Sequence, residues 1–491
     1  MRRLNSRPPP DAAIRLSGSD TTFILDDPIE PQHTLKIAVF DEASSRAFQF
    51  ERIGEALAGA VAVLPQMQWR VQSVPLGLNR PVWITDPTFD VRNHLRHVRL
   101  PEPGTKSQLC REISEVASEP IPPAQPPWEL WFVDGFEGSK VVAVLKMNHA
   151  LADGGTFALL LDLLSRPEST MPLIPRPVEA LSRGKALRDA TRELWHQLIR
   201  ELPSQTATTL RARARRRKTA SATRPPSMLR APKLPWRGPL TPARSFSWAS
   251  APLGEIKEIA KAISGTVNDV VFAIVAGAVR PYLAEDRTLT DQPVVGIVAA
   301  KHRRDGETRL WGTGATSQTF RLPTHLADPM ERLRAAHVQN EAVKAEVAAR
   351  PVRMEDWFDF APPILLRPML RVARLVGQRV AGGVIVSNVK GPREKRYVGG
   401  MGIENFVSCG HLKYAAGVNV TVWSYNGILN FAVYGCSRTL PDAELFAQRI
   451  QASFEELRAA TGVSRNHASN GADRPRPARV NPAAAAGEQH V

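Results

Sequence analysis

Short apolar runs and helically spaced apolar residues alternate along the first third of the chain. Residues 35–40, 128–133 and 141–147 are apolar runs of the length that is typical of buried strands. Residues 50–64, 107–117 and 156–164 repeat apolar positions at helical spacing, and Pro65 follows the first of them directly. This alternation predicts a mixed α/β (α+β) unit.

The pattern changes between residues 166 and 240, where proline, arginine and serine become frequent. We predict a helix over 184–201 and a mobile segment over 204–235, which together form a crossover linker. A second α/β unit follows. Residues 246–248 open it, and its predicted helices are 253–263, 267–283, 328–349 and 440–460. Its predicted strands are 294–299, 384–389 and a hairpin of 418–425 and 429–434.

These elements divide the chain into five parts. The predicted parts are a flexible leader (1–15), an N-terminal half (16–165), a basic crossover helix and linker (166–240), a C-terminal half (241–463) and a disordered tail (464–491).

Positive charge exceeds negative charge, since 64 Lys and Arg face 48 Asp and Glu and give a net charge of +16. Such an excess favours anionic partners, and part of it lies in the run 211–218. The run has no interleaved aromatic residues, so nucleic acid is disfavoured. Two interpretations remain open: peripheral contact with an anionic membrane or lipid droplet, and a solvated linker.

Several protein classes are excluded by what the sequence lacks. No apolar run approaches the ~20 residues that span a bilayer, and the longest, 270–279, is predicted to be a buried helix. The cysteines Cys110, Cys409 and Cys436 are far apart, which argues against disulfides and metal sites and fits a cytoplasmic protein. No serine-hydrolase elbow or phosphate-binding loop is present.

The segment with recognisable chemistry is 148–154 (NHALADG), which lies between a predicted strand and a predicted helix. His149 at the strand end can face a cleft, and a neutral imidazole can remove a proton from an alcohol. Asp153 is placed to brace the loop, and Gly154 permits a tight turn. From this motif alone, a buried structural histidine is an equally good interpretation.

This segment resembles the His-His-x-x-x-Asp-Gly signature of the coenzyme-A-dependent acyltransferases. Residues 16–460 resemble one branch of that superfamily, the bacterial wax ester synthase/diacylglycerol acyltransferases. Further blocks that carry the resemblance, in the same order along the chain, are 16–23 (LSGSDTTF), 83–90 (WITDPTFD), 265–270 (GTVNDV) and 387–392 (SNVKGP).

The resemblance implies two chloramphenicol-acetyltransferase-like halves with an active-site tunnel at their junction. It implies that His149 is the general base and that Asp153 has a structural role. Asn148 stands where the family usually has the first histidine, a position that supports the second. Asn268 and Asp269 are implied to support the C-terminal half near the cleft. No metal or cofactor is implied, and acyl-CoA is a co-substrate.

The implied reaction is transfer of a long-chain acyl group from acyl-CoA to diacylglycerol, to a long-chain alcohol, or to both. The enzyme would be cytoplasmic and peripherally associated with the inner membrane or with lipid droplets. Two alternatives are kept. One is an acyltransferase with another acceptor, such as a polyketide diol. The other is a catalytically weak lipid-binding or lipid-droplet protein, which Asn148 makes conceivable.

Overall fold

The computed structural model describes residues 14–25, 32–165, 180–218, 226, 232, 234–301, 310–348, 355–380, 383–413 and 416–465. The α-helices are α1 (Gly18–Ile24), α2 (Glu42–Ala47), α3 (Phe50–Val63), α4 (Lys106–Ser118), α5 (Gly154–Leu164), α6 (Arg183–His196), α7 (Leu202–Lys218), α8 (Leu253–Lys261), α9 (Val267–Glu285), α10 (Pro329–Ala348), α11 (Pro363–Val380) and α12 (Ala443–Ala460). The β-strands are β1 (Ile14–Arg15), β2 (His33–Phe40), β3 (Trp69–Gln72), β4 (Val82–Thr85), β5 (Leu95–Arg99), β6 (Trp128–Phe136), β7 (Lys140–Asn148), β8 (Arg244–Pro252), β9 (Val294–Lys301), β10 (Ala315–Leu322), β11 (Val384–Val389), β12 (Tyr397–Val398), β13 (Met401–Cys409), β14 (Val418–Tyr425) and β15 (Ile428–Cys436).

Two six-stranded sheets form the centres of two halves, as the mixed α/β prediction required. The first sheet has the order β12-β13-β2-β7-β6-β5, and the second has the order β10-β9-β11-β14-β15-β8. A small sheet, β1-β4-β3, lies beside the first half. The two-half architecture implied by the resemblance is therefore confirmed.

The predicted boundary at residue 241 does not separate the two sheets completely. β13, which follows the C-terminal strand β11 along the chain, pairs antiparallel with β2 of the first sheet and places Ser408 opposite Lys36. The chain thus returns from the second half to complete the first. The apolar run 35–40 predicted β2, but neither β13 nor its pairing with β2 was predicted, because a hydrophobic pattern does not specify which strands pair.

Helix α9 lies in the core of the second half. Residues Val270–Val279 are almost entirely buried, apart from the partly exposed Gly277, and the helix packs against α10 and α12. Among the described helices, α9 alone has the length and apolar composition that could cross a membrane, and most of its apolar window is buried. The prediction of a buried helix here is confirmed.

The crossover segment is more helical than predicted. α6, a π-helical turn (Gln197–Glu201) and α7 follow one another from residue 183 to residue 218, so the prediction of a mobile segment from residue 204 was wrong over 204–218. The cause is composition, because Ala, Gln and Arg have high helix propensity and Pro203 sits in the first turn of α7, where proline is tolerated. Residues 1–13, 166–179 and 466–491, with nearly all of 219–233, lie outside the described residues.

Candidate active site

His149 follows the last residue of the central strand β7 of the first sheet. Its backbone N–H donates to the carbonyl of Gln32, 3.0 Å away, which fixes the strand end. The imidazole is half-buried. Its ring lies 4.6 Å from the ring of Phe23 in α1 and 4.5 Å from the ring of His411, which follows β13. Side chains from both ends of the chain therefore enclose this imidazole.

The hydroxyl group of Thr313 determines how the His149 imidazole is protonated. Its Oγ1 lies 3.1 Å from His149 Nδ1 and 3.3 Å from the carbonyl oxygen of His149. The threonine hydroxyl has one proton, and the carbonyl can only accept it. When this proton is donated to the carbonyl, Oγ1 accepts a hydrogen bond from Nδ1–H. This tautomer leaves Nε2 with a free lone pair.

Thr313 is in turn held by a carboxylate. Its backbone N–H donates to Asp20 Oδ1 at 2.9 Å, and the other oxygen of Asp20 accepts from the Ser17 hydroxyl at 2.7 Å. Asp20 and Thr313 are both buried. Asp20, in the block 16–23, thus supports His149 through Thr313, although Asp20 and Thr313 are 293 residues apart in the chain.

Asp153 joins the loop after His149 to the second half. Its Oδ1 accepts from the N–H of Thr156 and so caps α5, and its Oδ2 accepts from the N–H of Gly314, each at 2.7 Å. The carbonyl of Gly312 accepts from the Thr156 hydroxyl at 3.1 Å. Asp153 therefore braces the predicted loop through backbone amides on both sides of the junction.

Asn148 and Gly154 also have structural contacts. The Asn148 amide donates to the carbonyl of Phe23 at 3.1 Å and accepts from the N–H of Ala150 at 2.9 Å, so it ties α1 to the loop. A Cβ atom at Gly154 would lie 2.9 Å from a methyl group of Val389 at the end of β11. A larger residue at position 154 would require Val389 or the local backbone to shift.

Asn268 and Asp269 lie at the start of α9 and bind α10 and β11. Asp269 is fully buried and accepts from Asn340 and from His337 Nδ1, the latter at 2.8 Å. Asn268 donates to Asn340 at 3.0 Å and accepts from Asn388 at 3.3 Å. Asn268 therefore links the start of α9 to the end of β11, which lies against the first turn of α5.

The electrostatic surroundings keep the His149 imidazole neutral near pH 7. Burial lowers the pKa of His149 to about 4; the Asp153 carboxylate raises it, and the ammonium groups of Lys36 and Lys413 lower it. Lys36 is itself buried, and burial lowers its pKa to about 8. Among the described residues, no cluster of three or more His, Cys, Asp or Glu side chains could hold a metal ion.

His411 is a site residue that the sequence did not identify. Its side chain is buried, and neither ring nitrogen has a hydrogen-bond partner in the described part of the chain. Burial, followed by the neighbouring His149, lowers the pKa of His411 well below its ordinary value. The sequence did not identify it because nothing local marks His411 as a neighbour of residue 149.

Comparison with known proteins supports the predicted resemblance. Residues 16–271 match the wax ester synthase/diacylglycerol acyltransferase catalytic domain, and residues 311–458 match the C-terminal domain of the same family. A putative diacylglycerol O-acyltransferase of Mycobacterium tuberculosis is 32% identical over 458 residues, which cover 91% of this chain and 97% of the relative. A second one from the same organism is 30% identical, with coverage of 91% and 90%.

Solved structures show the same fold. A wax ester synthase/diacylglycerol acyltransferase from Marinobacter aquaeolei VT8 superimposes with a TM-score of 0.61 at 22% identity, covering 91% of this chain and all of that one. The first condensation domain of the calcium-dependent antibiotic synthetase gives a TM-score of 0.58 at 16% identity, with coverage of 93% and 97%.

Proposed function

Because the chain belongs to the wax ester synthase/diacylglycerol acyltransferase family, and is therefore an acyltransferase, we propose that His149 is its general base. The acyl group comes from acyl-CoA, and the acceptor is the hydroxyl group of diacylglycerol, of a long-chain alcohol, or of both. The observation that carries this proposal is the geometry of His149. Thr313 occupies one ring nitrogen, and the other is left with a lone pair on a neutral ring.

The reaction needs one proton acceptor and one proton donor, and His149 can serve as both. Nε2 removes the hydroxyl proton while the acceptor oxygen attacks the thioester carbonyl carbon. The carbon–sulfur bond then breaks, and the imidazolium returns the proton to the leaving sulfur as free CoA forms. Both substrates are bound together, so no acyl-enzyme is required.

The lowered pKa of His149 has two consequences for this mechanism. The imidazole is already unprotonated at neutral pH, so it is available as a base without prior loss of a proton. The imidazolium that forms during the reaction is unfavourable in a buried site, and the neighbouring Asp153 carboxylate offsets part of that cost. Asp153 thus assists electrostatically while its oxygens remain bound to backbone amides.

Residues from both halves meet at His149, which favours substrate entry along the junction. Phe23 belongs to the first half, whereas Thr313 and His411 belong to the C-terminal part of the chain. We propose that the predicted tunnel runs between these groups and admits acyl-CoA and the acceptor from opposite faces. The acceptors are lipids, so we also place the enzyme in the cytoplasm, peripherally associated with the inner membrane or with lipid droplets.

The acceptor is identified by measuring CoA thiol release from palmitoyl-CoA with diacylglycerol, hexadecanol and a polyketide-like diol in turn. We expect release that depends on diacylglycerol or hexadecanol, together with formation of the matching ester. Release with the diol alone would support the alternative acceptor. Lipid binding without release on any acceptor would contradict the proposal and favour a lipid-binding protein.

A further inference from the structure

Helix α11 exposes a stripe of large apolar side chains. Six of them are between 46% and 60% exposed, although apolar side chains of this size are normally buried. They recur at helical spacing and so share one side of the helix. They are Ile364, Leu365, Met369, Val372, Leu375 and Val376.

The opposite side of α11 attaches the helix to the protein. Leu366 is completely buried, and the helix packs against α1 and against the short turn Pro75–Gly77. Leu76 on that turn is 76% exposed and adds one more apolar side chain to the stripe. The stripe, with Leu76, is called the α11 face below. The helix that carries it is anchored through Leu366.

The charge of α11 indicates what the face binds. Residues 363–380 contain four arginines and no acidic residue or lysine. Arg367 and Arg371 are exposed, and with Arg374 they follow one another at helical spacing along one edge of the stripe. An apolar stripe bordered by arginines is the pattern of a helix that lies in a bilayer interface. Its apolar side chains enter the acyl region, and its guanidinium groups bind anionic headgroups.

We propose that the α11 face seats the protein on an anionic lipid surface. Association of two copies through this face is disfavoured, because a two-fold contact would bring two arginine-bordered helices of the same sign together. A lipid surface with anionic headgroups can bury the apolar side chains of the face and also bind its arginines. A neutral apolar partner could bury the apolar side chains but would offer the arginines no anionic group.

The position of α11 links this surface to the reacting residue. α11 packs against α1, and α1 carries Phe23, whose ring contacts His149, and Asp20, which holds Thr313. Docking through α11 would therefore bring the α1 wall of the site close to the lipid surface in which the acceptors dissolve. This consequence for catalysis rests on the proposed function, whereas the docking itself does not.

Flotation of the full-length protein with vesicles tests the proposal. The vesicles contain phosphatidylcholine with or without phosphatidylserine. The variant L365Q/M369Q/V372Q changes three exposed side chains, so the fold should be retained. We expect its affinity for the phosphatidylserine vesicles to fall by at least about tenfold, because each buried apolar group contributes to interfacial binding.

A matched pair of single variants separates this face from general surface hydrophobicity. Val372 in α11 and Val338 in α10 are 60% and 59% exposed, and both lie on helices. Val372→Gln should weaken vesicle binding, and Val338→Gln should leave it unchanged. The variant R367Q/R371Q should weaken binding to phosphatidylserine vesicles more than to pure phosphatidylcholine, and added salt should reduce the difference.

Wild-type binding by L365Q/M369Q/V372Q, or no binding by the wild type, would overturn the proposal. The proposal would also be overturned if this variant changed its oligomeric state but still bound vesicles, since the α11 face would then be a contact between copies. CoA release with a soluble short-chain alcohol distinguishes this failure from failure of the proposed function. The variant should keep that activity. If the wild type itself released no CoA, the proposed function would fail, but the vesicle-binding result would still test the α11 face.

Discussion

At the residue scale, the sequence predicts a general base at His149 but not how its side chain is held. His149 follows a buried strand and precedes a turn and a helix, and the family resemblance favours it over a buried structural histidine. Thr313 is not, since it lies 164 residues away in a segment without a local motif. Its role depends on a hydroxyl that donates to the carbonyl of His149 and accepts from Nδ1–H of the same residue, an arrangement that only the three-dimensional structure reveals.

Replacing Thr313 tests this positioning role. Thr313→Val keeps the shape but removes the hydroxyl, so Nδ1–H loses its acceptor and the tautomer is no longer fixed. We expect kcat to fall by about tenfold, or ~1.4 kcal/mol, which is the size of one buried hydrogen bond. Thr313→Ser should restore most of the rate. If Thr313→Val and Thr313→Ser were equally active, the hydroxyl would have no part in positioning His149.

At the scale of elements, strongly periodic segments were predictable and mixed ones were not. The predicted strand at 141–147 and helix at 50–64 correspond to β7 and α3 within one residue at each end. β10 was missed because its buried face includes Thr316 and Gln318 beside Phe320, so apolar alternation is lost. α11 was missed because Pro368 lies inside the helix and interrupts the helical pattern.

The cap of α5 has an expected energetic consequence. Both Asp153 oxygens accept backbone N–H groups, and an asparagine can accept with only one of them. Asp153→Asn should therefore lower the free energy of unfolding by about 1–3 kcal/mol, the cost of leaving a buried group unsatisfied, and should lower activity with it. Thermal melting and CoA release check the two effects.

A matched helix cap provides the control for Asp153→Asn. Asp442 caps α12 through the N–H of Leu445 and is exposed, so Asp442→Asn should change neither property, because asparagine is an equally good cap. An Asp153→Asn protein with full stability and no activity would instead assign Asp153 a direct chemical role.

At the scale of the whole molecule, the site is built where the two halves meet. The resemblance predicted two halves, but the return of β13 into the first sheet could not be read from the pattern. That return explains why His411, which follows β13, lies beside His149. His33, His149 and His411 all lie in surroundings where a positive charge is unfavourable.

These histidines predict how stability depends on pH. Burial lowers the pKa of His33 to about 3 and that of His149 to about 4, and it lowers the pKa of His411 well below its ordinary value. In the unfolded chain each would titrate near ~6.5. Unfolding therefore takes up protons between these values, so stability is full above pH ~6.5 and declines as the pH falls toward the folded-state values.

Thermal melting between pH 7.5 and pH 5 measures this effect. We expect the melting temperature to fall over this interval, in which the carboxylates contribute little because they titrate near ~4 even when unfolded. His33→Gln should flatten the profile, since it removes one of the three groups. A melting temperature that is constant or rises on acidification would show that the buried histidines are charged in the folded protein.

The central claim is that His149 removes the hydroxyl proton of the acceptor. It is tested most directly by CoA thiol release from palmitoyl-CoA, with the acceptor that the wild type uses, in His149→Ala. We predict a rate at least about 10²-fold below that of the wild type, the lower range for loss of a general base, with an unchanged melting profile. His97→Ala, which removes an exposed histidine, should retain the wild-type rate. A folded His149→Ala protein with near-wild-type release would contradict the account.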